Sequence, residues 1–527
     1  MRDKRPSSGN IASGNSGVPA IFLQDVIYAY EPDARPAVEG ISLVIGAGEW
    51  VTIAGPSGSG KSTLAGLLSG YLPRAGGGVR EGRLTVHGLD PASAGIAELA
   101  KAIGTVFQDP DAQLVRGRVE DEAAFGPENL CLPAETVERR VAAALQDVDL
   151  LERRRDSVHE LSGGGRQRAA IASVLALAPR VLVLDEAAAS LDAGGRRRLA
   201  ALLRGLHQSG VTLVTVTGRL DELALAAPRL VVLAEGRIAA DGPAPELLRE
   251  RRPLLSGLGL LPALPRSSRS AVLTGAPSPE PAEPTPPPLL DIRGLSFAYG
   301  APKPRRRPRR NRTPEPTGSP VLQDVHMRVR AGEWHMLCGD NGSGKTTISR
   351  LVLGLETPPP GTVFWRGRDA SELSLYELAA DIGYVFQHPE QQFVAATVLD
   401  ELLFGPRSAL RLRPKDKTPE PLLRQAQEWL GLIGLEGREQ ESPYLLSGGE
   451  KRLLSAAAGL AAGRKLILLD EPTAGTDYAG ASVLAGLCRK AVAAGTALIM
   501  ITHEPEYFAG EDTIVWNLSG GVLRAKS

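Results

Sequence analysis

Two stretches of sequence decide the fold: GPSGSGKS at Gly55–Ser62 and GDNGSGKT at Gly339–Thr346. The first follows an apolar run, WVTIAG, which begins at Trp50, and it runs into STLAGLLSGYL, an apolar pattern of helical period. A strand, a glycine-rich loop and a helix in this order aim backbone amides and a helix N-terminus at a polyphosphate. We therefore predict an α/β chain with two nucleotide-binding sites.

We call these stretches the first phosphate loop (residues 55–62) and the second phosphate loop (residues 339–346). In each loop the lysine would reach the outer phosphates, and the hydroxyl that follows, on Ser62 or Thr346, would ligate Mg²⁺. The expected ligands are therefore a nucleotide and Mg²⁺, and the family resemblance described below implies that the nucleotide is ATP. The predicted nucleotide-contacting residues here are Gly55, Pro56, Ser57, Gly58, Ser59, Gly60, Lys61, Ser62, Thr63, Gly339, Asp340, Asn341, Gly342, Ser343, Gly344, Lys345, Thr346 and Thr347.

The same motifs occur twice in the same order, which predicts two homologous halves. LSGG at Leu161 returns at Leu446, and VLVLDE returns as LILLDE, in both cases 285 residues later. VFQ at Val106 returns at Val385 after 279 residues. A nearly constant offset over several motifs is the mark of an internal duplication.

Composition places the boundaries of the two halves. We predict a loose tail at residues 1–20, domains at residues 21–250 and 289–527, and a proline-rich linker at residues 251–288. A stretch rich in arginine and proline, residues 301–320, is inserted in the second domain. It is either a solvated loop or an anchor for acidic lipids or an acidic partner.

Two acidic pairs follow apolar strands. Asp185 and Asp470 would sit at the carboxyl edge of a sheet beside a phosphate loop, where a carboxylate can hold a metal-bound water. Glu186 and Glu471 come next, and a carboxylate there can orient or deprotonate the attacking water. The alternative for such a pair is a helix N-cap without chemistry, but a preceding phosphate loop favours the catalytic interpretation.

The composition excludes several classes of protein. A chain of 527 residues with 43% hydrophobic residues is too large for a single small module. Basic and acidic residues both number 60 and aromatic residues make up 4%, so neither charge nor base stacking favours a nucleic-acid partner. The mean hydropathy is −0.07, and no apolar run reaches the ~18 residues of a membrane span. The three scattered cysteines are typical of a reducing compartment.

LSGGGRQRAAIA at Leu161 and LSGGEKRLLSAAA at Leu446 resemble the signature of ABC-type ATPases, over nearly the whole chain outside the tail, linker and insertion. The resemblance implies two tandem P-loop ABC nucleotide-binding domains. Each would have a mainly parallel sheet, an antiparallel β portion and a helical signature subdomain. It also implies that the halves pair head to tail within one chain, with each signature closing over the γ-phosphate of the opposite half through Ser162, Gly163 and Gly164 or through Ser447, Gly448 and Gly449.

The resemblance assigns further residues. Tyr30 and Tyr299 would stack on adenine, and His503 would contact the γ-phosphate, whereas the first half has Gly218 in its place. We therefore expect one complete site and one that hydrolyses ATP more slowly. The implied catalytic residues are Glu471, His503, Glu186, Gln387 and Gln108, and the implied metal site residues are Ser62, Gln108, Asp185, Thr346, Gln387 and Asp470.

A narrower resemblance lies after the two glutamines. VFQDPDAQLVRGRVEDEAAFGP and VFQHPEQQFVAATVLDELLFGP resemble the ATPase pair of energy-coupling factor importers and the related cobalt and nickel systems. It implies import of a vitamin or transition-metal micronutrient, with an integral membrane coupling subunit and a separate solute-binding membrane subunit as partners. The chain would then be peripheral, on the cytoplasmic face of the cell membrane.

Asp121 and Asp400 in these segments could receive arginines from the coupling subunit, or could belong to an ordinary solvated helix face. Two other functions stay open at this stage. One is a simple-sugar importer ATPase, which would differ in its membrane partner. The other is a soluble tandem ABC ATPase that acts on ribosomes or DNA, although the proline-rich linker and the net charge of zero disfavour it.

Overall fold

The computed structural model describes residues 18–188, 191, 193–261, 287–299, 320–413, 415–474, 476–508, 510 and 513–525. Almost all of the predicted tail, most of the predicted linker and nearly all of the arginine-rich insertion lie outside the described residues. We refer to residues 18–261 as the first half and to residues 287–525 as the second half.

The first half alternates strands and helices after an initial antiparallel hairpin. Its strands are β1 (Ile21–Ala29), β2 (Val38–Ile45), β3 (Trp50–Ala54), β4 (Val79–Val86), β5 (Ile103–Val106), β6 (Val181–Asp185), β7 (Thr212–Thr217), β8 (Arg229–Ala234) and β9 (Arg237–Pro243). Its helices are α1 (Lys61–Ser69), α2 (Ile96–Ala102), α3 (Pro110–Gln113), α4 (Val119–Asn129), α5 (Ala134–Asp147), α6 (Gly163–Leu175), α7 (Ala193–Gln208), α8 (Ala244–Glu250) and α9 (Arg252–Gly257).

The second half repeats this order with small differences. Its strands are β10 (Leu290–Phe297), β11 (Leu322–Val329), β12 (Trp334–Cys338), β13 (Val363–Trp365), β14 (Arg368–Asp369), β15 (Ile382–Val385), β16 (Leu466–Asp470), β17 (Ala497–Ile501), β18 (Thr513–Ser519) and β19 (Val522–Ala525). Its helices are α10 (Lys345–Val352), α11 (Leu375–Asp381), α12 (Val398–Ala409), α13 (Glu420–Leu432), α14 (Gly448–Ala461) and α15 (Tyr478–Ala493).

Each half has a six-stranded sheet that carries the predicted motifs. The strand order is β5-β6-β7-β3-β8-β9 in the first half and β15-β16-β17-β12-β18-β19 in the second, with only the last strand antiparallel. β6 and β16 are buried at every residue, as expected for apolar strands covered on both faces. The parallel α/β core predicted from the sequence is confirmed.

A smaller antiparallel sheet and a group of helices complete each half. The antiparallel sheets have the orders β2-β1-β4 and β11-β10-β13-β14. The helices α4, α5 and α6 pack together, as do α12, α13 and α14, and each group shares a hydrophobic core with one face of the large sheet. The three-part architecture implied by the family resemblance is therefore present in both halves.

The folded part of the first half extends beyond the predicted boundary at residue 250. Helix α9 lies in the segment that we assigned to the linker, and Leu255 and Leu260 are fully buried against Leu220 and Leu230. Pro253 lies in the first turn of α9, where the missing amide hydrogen costs no hydrogen bond. Residues 251–261 therefore belong to the first half in this structure.

No helix in the described parts of the chain combines the length and the apolar character that crossing a bilayer requires.

Candidate functional site

The two phosphate loops have the geometry that their sequences predict. Each lysine is the first residue of a helix, Lys61 of α1 and Lys345 of α10, and each is nearly buried. Lys61 Nζ donates to the carbonyl of Pro56 at 2.8 Å, and Lys345 Nζ donates to the carbonyl of Gly339 at 2.7 Å. Each ammonium group therefore lies inside the curve of its own loop, where phosphate oxygens would bind.

The strands place the acidic pairs beside these loops. In the first half, the Ser62 hydroxyl donates to Asp185 Oδ1 at 3.3 Å, and Gln108 Nε2 donates to Glu186 Oε2 at 2.9 Å. In the second half, Gln387 Nε2 donates to Glu471 Oε2 at 3.0 Å. Six of the predicted catalytic and metal site residues are thus brought into contact within their own halves.

These contacts fit a magnesium site that is completed by the nucleotide. Among the described residues, no group of three or more histidine, cysteine, aspartate and glutamate side chains could hold a metal ion alone. Mg²⁺ bound with a nucleotide takes one or two carboxylate or hydroxyl ligands from the protein, and phosphate and water supply the rest. Ser62 beside Asp185 provides such a pair in the first half.

The corresponding aspartate of the second half has a different neighbour. The hydroxyl of Tyr384 donates to Asp470 Oδ2 at 2.6 Å. The sequence does not predict a contact for Tyr384, which lies in β15 three residues before Gln387. Its counterpart in the first half is Thr105, so comparison of the two copies gave no shared residue that would have identified it.

Glu186 and Glu471 occupy the same strained turn in both halves. Glu186 has φ 48° and Glu471 has φ 45°, in the left-handed region that residues with side chains seldom adopt. Their amides donate to Val216 and Ile501, each at 3.0 Å. The first half has alanines after its glutamate where the second has Pro472 and Thr473, yet this difference does not change the turn at the glutamate itself.

His503, which the family resemblance places at the γ-phosphate, lies against Glu471 in the structure. Its Nε2 atom is 2.9 Å from Glu471 Oε1, and both side chains are mostly buried. In the first half, Gly218 takes the position of the histidine, and a β-carbon there would lie 3.6 Å from Glu186 Oε1. The two halves therefore share the glutamate but differ in its partner.

This difference changes the electrostatics of the two glutamates. Burial raises the pKa of Glu186 to about 7, although Lys61 opposes the rise. Burial also acts to raise the pKa of Glu471, but His503, Lys345 and Arg452 together outweigh it, and the pKa lies below its usual value. At neutral pH, Glu471 is therefore ionised, whereas Glu186 is close to its midpoint.

A cavity of about 610 Å³ combines residues from both halves. The second half contributes the second phosphate loop, Asp470 and Glu471, and the first half contributes Ser162 and Gly163 of its LSGG segment, the first signature loop (residues 161–165). Gly164 also lies at this boundary between the two halves, which we call the seam, since a β-carbon there would be 3.4 Å from Asn341 Nδ2. Gln387 also lines this cavity, whereas His503 is not among the described residues that line it.

The reciprocal seam is tighter. The second signature loop (residues 446–450) faces the first phosphate loop, and a β-carbon at Gly449 would lie only 2.8 Å from Ser57 Oγ. The amide of Ser57 also donates to Asp477 Oδ2 of the second half at 3.2 Å. A side chain at position 449 would therefore fit only if the Ser57 side chain of the opposite phosphate loop moved away.

The predicted adenine-stacking tyrosines are exposed and held beside the phosphate loops. Tyr30 and Tyr299 are 53% and 44% exposed, and their hydroxyls lie 3.0 and 3.1 Å from the hydroxyls of Thr63 and Thr347. Tyr299 also lines the cavity of about 610 Å³. An exposed ring at this distance from a phosphate loop is available to stack on a base.

Two contacts across the seam are not predicted by the sequence. Asp477, six residues after Glu471, contacts Ser57 of the first half. Arg219 of the first half forms an ion pair of 2.6 Å with Glu504. Repeats reveal which positions are equivalent in the two halves, but not which positions touch.

Comparisons with known proteins give a consistent family. The model of the family described as ABC transporter matches residues 38–189 and 322–474. A "Putative ABC transporter ATP-binding protein" of Caldanaerobacter subterraneus subsp. tengcongensis is 36% identical over 92% of this chain and 87% of its own length. The "Putative HMP/thiamine import ATP-binding protein YkoD" of Bacillus subtilis is 32% identical over 92% of this chain and 87% of its own length. The solved structure of cbiO1 from Clostridium perfringens, part of the ABC transporter complex cbiONQ, is 33% identical with a TM-score of 0.41, over 46% of this chain and 96% of that chain.

Proposed function

The chain belongs to the ABC transporter family and is an ATPase with two tandem nucleotide-binding domains, and from this premise we propose that it powers an importer of the energy-coupling factor type. The cargo would be a vitamin or a transition-metal micronutrient. The observation that carries the ATP-driven part of this proposal is the cavity of about 610 Å³, in which the second phosphate loop faces the first signature loop.

In the proposed cycle, ATP binding holds the halves together and hydrolysis releases them. Lys345 and the amides of the second phosphate loop bind the phosphates, while Ser162 and the helix α6 N-terminus approach the γ-phosphate from the first half. Mg²⁺, held by Thr346, Asp470 and Gln387, would neutralise phosphate charge. Opening and closing of the seam is then the two-state element that moves a membrane partner.

Hydrolysis is proposed to proceed faster in the site that contains Glu471. An ionised Glu471 can accept a proton from the attacking water, and His503 beside it can donate a hydrogen bond to the phosphate. The other site has Glu186 with a pKa raised to about 7 by burial and no histidine at Gly218. We therefore assign it a slower turnover.

The importer assignment is supported by a surface that recurs in both halves. Phe107 and Phe386 are 39% and 40% exposed, and Val115 and Val394 are 62% and 64% exposed, at equivalent positions 279 residues apart. In the first half, an apolar groove of about 460 Å³ lies beside Phe107 and Phe125. Apolar surface repeated in this way is suited to the cytoplasmic helices of a membrane subunit.

The acidic residues of this region divide into two kinds. Glu122 and Glu401 are buried, and each accepts hydrogen bonds from two backbone amides of the loop before its helix. They fix that loop and are not accessible to a partner. Asp121 and Asp400 are exposed, so the predicted arginine contacts are proposed for these two carboxylates alone.

The import proposal also draws on the relative from Bacillus subtilis, whose printed name includes HMP/thiamine import. We extend this only to the class of cargo, a small micronutrient, because a separate membrane subunit would select the solute. The simple-sugar importer ATPase differs from this proposal in its membrane partner.

Charge reversal of the two exposed aspartates tests the proposal. In the cells that normally produce the chain, we expect the full-length protein to co-purify with membranes and a small hydrophobic subunit. Asp121→Lys with Asp400→Lys should release it into the soluble fraction while the ATPase rate of the purified protein stays within about twofold, because surface changes away from a site are usually nearly neutral.

The matched control reverses Glu135 and Glu420, which are exposed acidic residues in the first turns of the neighbouring helices α5 and α13. This variant should remain with the membranes. Sedimentation of the unmodified chain with ribosomes, or membrane association that survives reversal of Asp121 and Asp400, would contradict the proposal.

A further inference from the structure

Arg219 follows the glycine that replaces the histidine of the first half, and its side chain enters the second half. The residue is only 9% exposed. Its guanidinium donates to Glu504 Oε2 at 2.6 Å, to the carbonyl of Thr473 at 2.9 Å and to Thr476 Oγ1 at 2.9 Å, and it also donates to the Thr476 carbonyl. All of these partners belong to the opposite half.

The internal duplication makes Arg219 and its partner Glu504 equivalent positions of the two halves. Arg219 and Glu504 are 285 residues apart, the same offset that relates Glu186 to Glu471. Equivalent residues of two halves paired head to tail can touch only at the pseudo-twofold axis between them. Two identical halves would place two arginines or two glutamates together there, so this ion pair is possible only because the halves differ.

The Arg219 guanidinium contacts the two segments that directly follow Glu471 and His503. Glu504 is the residue after His503, and Thr473 lies two residues after Glu471. An arginine fork can satisfy several acceptors in a fixed plane, which a flexible ammonium cannot do. The rings of Tyr478 and Tyr507 lie 5.5 and 5.1 Å from its central carbon and add cation–π contacts.

The positioning effect of this contact is one-sided, although the charge of Arg219 also acts to lower the pKa of Glu186 in the first-half site. On the second half, the anchored loop carries His503, which reaches Glu471 at 2.9 Å. On the first half, the residue before Arg219 is Gly218, which has no side chain to orient. A contact at the axis therefore orders a catalytic side chain in one site only.

We propose that Arg219 is a positioning residue of the second-half site, which fixes His503 and Glu471 from across the seam. This inference rests on the proposed roles of Glu471 and His503. The first half has no histidine at the equivalent position of its own site, but its Arg219 would position the histidine of the second half.

The test measures kcat and KM for ATP in the full chain. We expect Arg219→Ala to lower kcat roughly tenfold or more, because the site loses charged hydrogen bonds that hold its geometry. KM should change by less than about threefold, since the phosphate-binding residues are untouched. Arg219→Lys should recover only part of the loss because it keeps the charge but not the fork.

Two backgrounds distinguish positioning from general support of the seam. In Glu186→Gln, where the second-half site supplies the turnover, Arg219→Ala should have its full effect. In Glu471→Gln it should change the residual rate by less than about twofold, as expected when the affected site is already inactive. Equal losses in both backgrounds, or no loss in either, would overturn the inference.

Arg196→Ala is the matched control, since Arg196 contacts the same Glu504 carboxylate at 3.3 Å from the first half but is not bonded to Thr473 or Thr476. It should lower kcat by less than about threefold. Thermal unfolding of each variant checks that it is folded, and if Arg219→Ala is not, the Arg219→Lys comparison in both backgrounds decides. If Glu186→Gln is more damaging than Glu471→Gln with Arg219 intact, the proposed assignment of the faster site fails, independently of Arg219.

Discussion

Glu186 and Glu471 show how a single neighbour can separate two otherwise equivalent residues. Both directly follow a buried parallel strand and share the same left-handed backbone turn and a glutamine contact. The imidazole of His503 is the partner that only Glu471 has, and it is the largest influence lowering the pKa of that carboxyl group. Without an equivalent, burial raises the pKa of Glu186 to about 7.

The substitution Gly218→His should therefore repair the weaker site. Position 218 has room for a side chain, because a β-carbon there would make an ordinary contact of 3.6 Å with Glu186 Oε1, and a cavity of about 70 Å³ adjoins it. In the Glu471→Gln background, where the first half supplies the turnover, we expect the ATPase rate to rise roughly tenfold from a charged hydrogen bond to the transition state.

Gly218→Ala is the control for this repair, since it adds the β-carbon but no imidazole. It should leave the steady-state ATPase rate in the Glu471→Gln background unchanged. An equal gain from alanine and histidine would mean that backbone restriction, and not the imidazole, limits the first-half site.

At the scale of elements, the two signature helices begin differently. Ser162 caps α6 by accepting from the Gly165 amide, whereas Ser447 and Glu450 form a reciprocal capping box at the start of α14. Glu450 also pairs with Arg438 at 2.6 Å. The helix whose start faces the first phosphate loop is therefore held by contacts that α6 lacks.

We expect Glu450→Ala to lower the free energy of unfolding of the second half by about 1 kcal/mol at about pH 7. Burial acts to raise the pKa of Glu450, but its hydrogen bonds from Ser447 and the charge of Arg438 lower it below its usual value. A depressed carboxyl pKa stabilises the fold above the unfolded value of about 4.3, and this is lost as the pH falls through the folded value.

The difference between wild type and Glu450→Ala should accordingly shrink as the pH is lowered below about 4. Urea unfolding followed by tryptophan fluorescence measures it, because four of the five tryptophans lie in the second half. Glu450→Gln keeps the capping geometry and should lose less. A loss that is the same at neutral and acidic pH would show that the charge of Glu450 does not contribute.

The sequence predicted elements well where local chemistry determines them. The strands before both phosphate loops, the helices that start at Lys61 and Lys345, and the buried strands β6 and β16 were all predicted, because apolar runs and glycines act locally. The sequence does not predict helix α9, because the proline content of residues 251–288 as a whole indicates a linker, whereas Pro253 itself occupies the first turn of the helix.

At the scale of the whole molecule, the sequence identifies candidate site residues in each half, but it does not predict every contact between the halves. The constant offset identified Glu186 and Glu471 as equivalents, and the family resemblance implied that each signature faces the opposite half. Neither source could place Arg219 against Glu504, because their contact depends on how two folded surfaces meet. The periodicity of a sequence shows which residues share one face of a helix or strand, but it does not show which surfaces of two folded halves come into contact.

The arrangement of both sites across the seam makes a prediction that depends on no single residue. If each ATP is shared, Ser162→Arg should block the same site as Glu471→Gln, since Ser162 lines the cavity that contains Glu471. Adding Ser162→Arg to Glu471→Gln should then change the ATPase rate by less than about twofold, whereas adding it to Glu186→Gln should remove most of the remaining activity. Ser447→Arg should show the opposite pairing, because the second signature loop faces the first phosphate loop. Nucleotide held wholly within one half would instead couple Ser162 to Glu186, so steady-state rates of the four double variants separate the two arrangements.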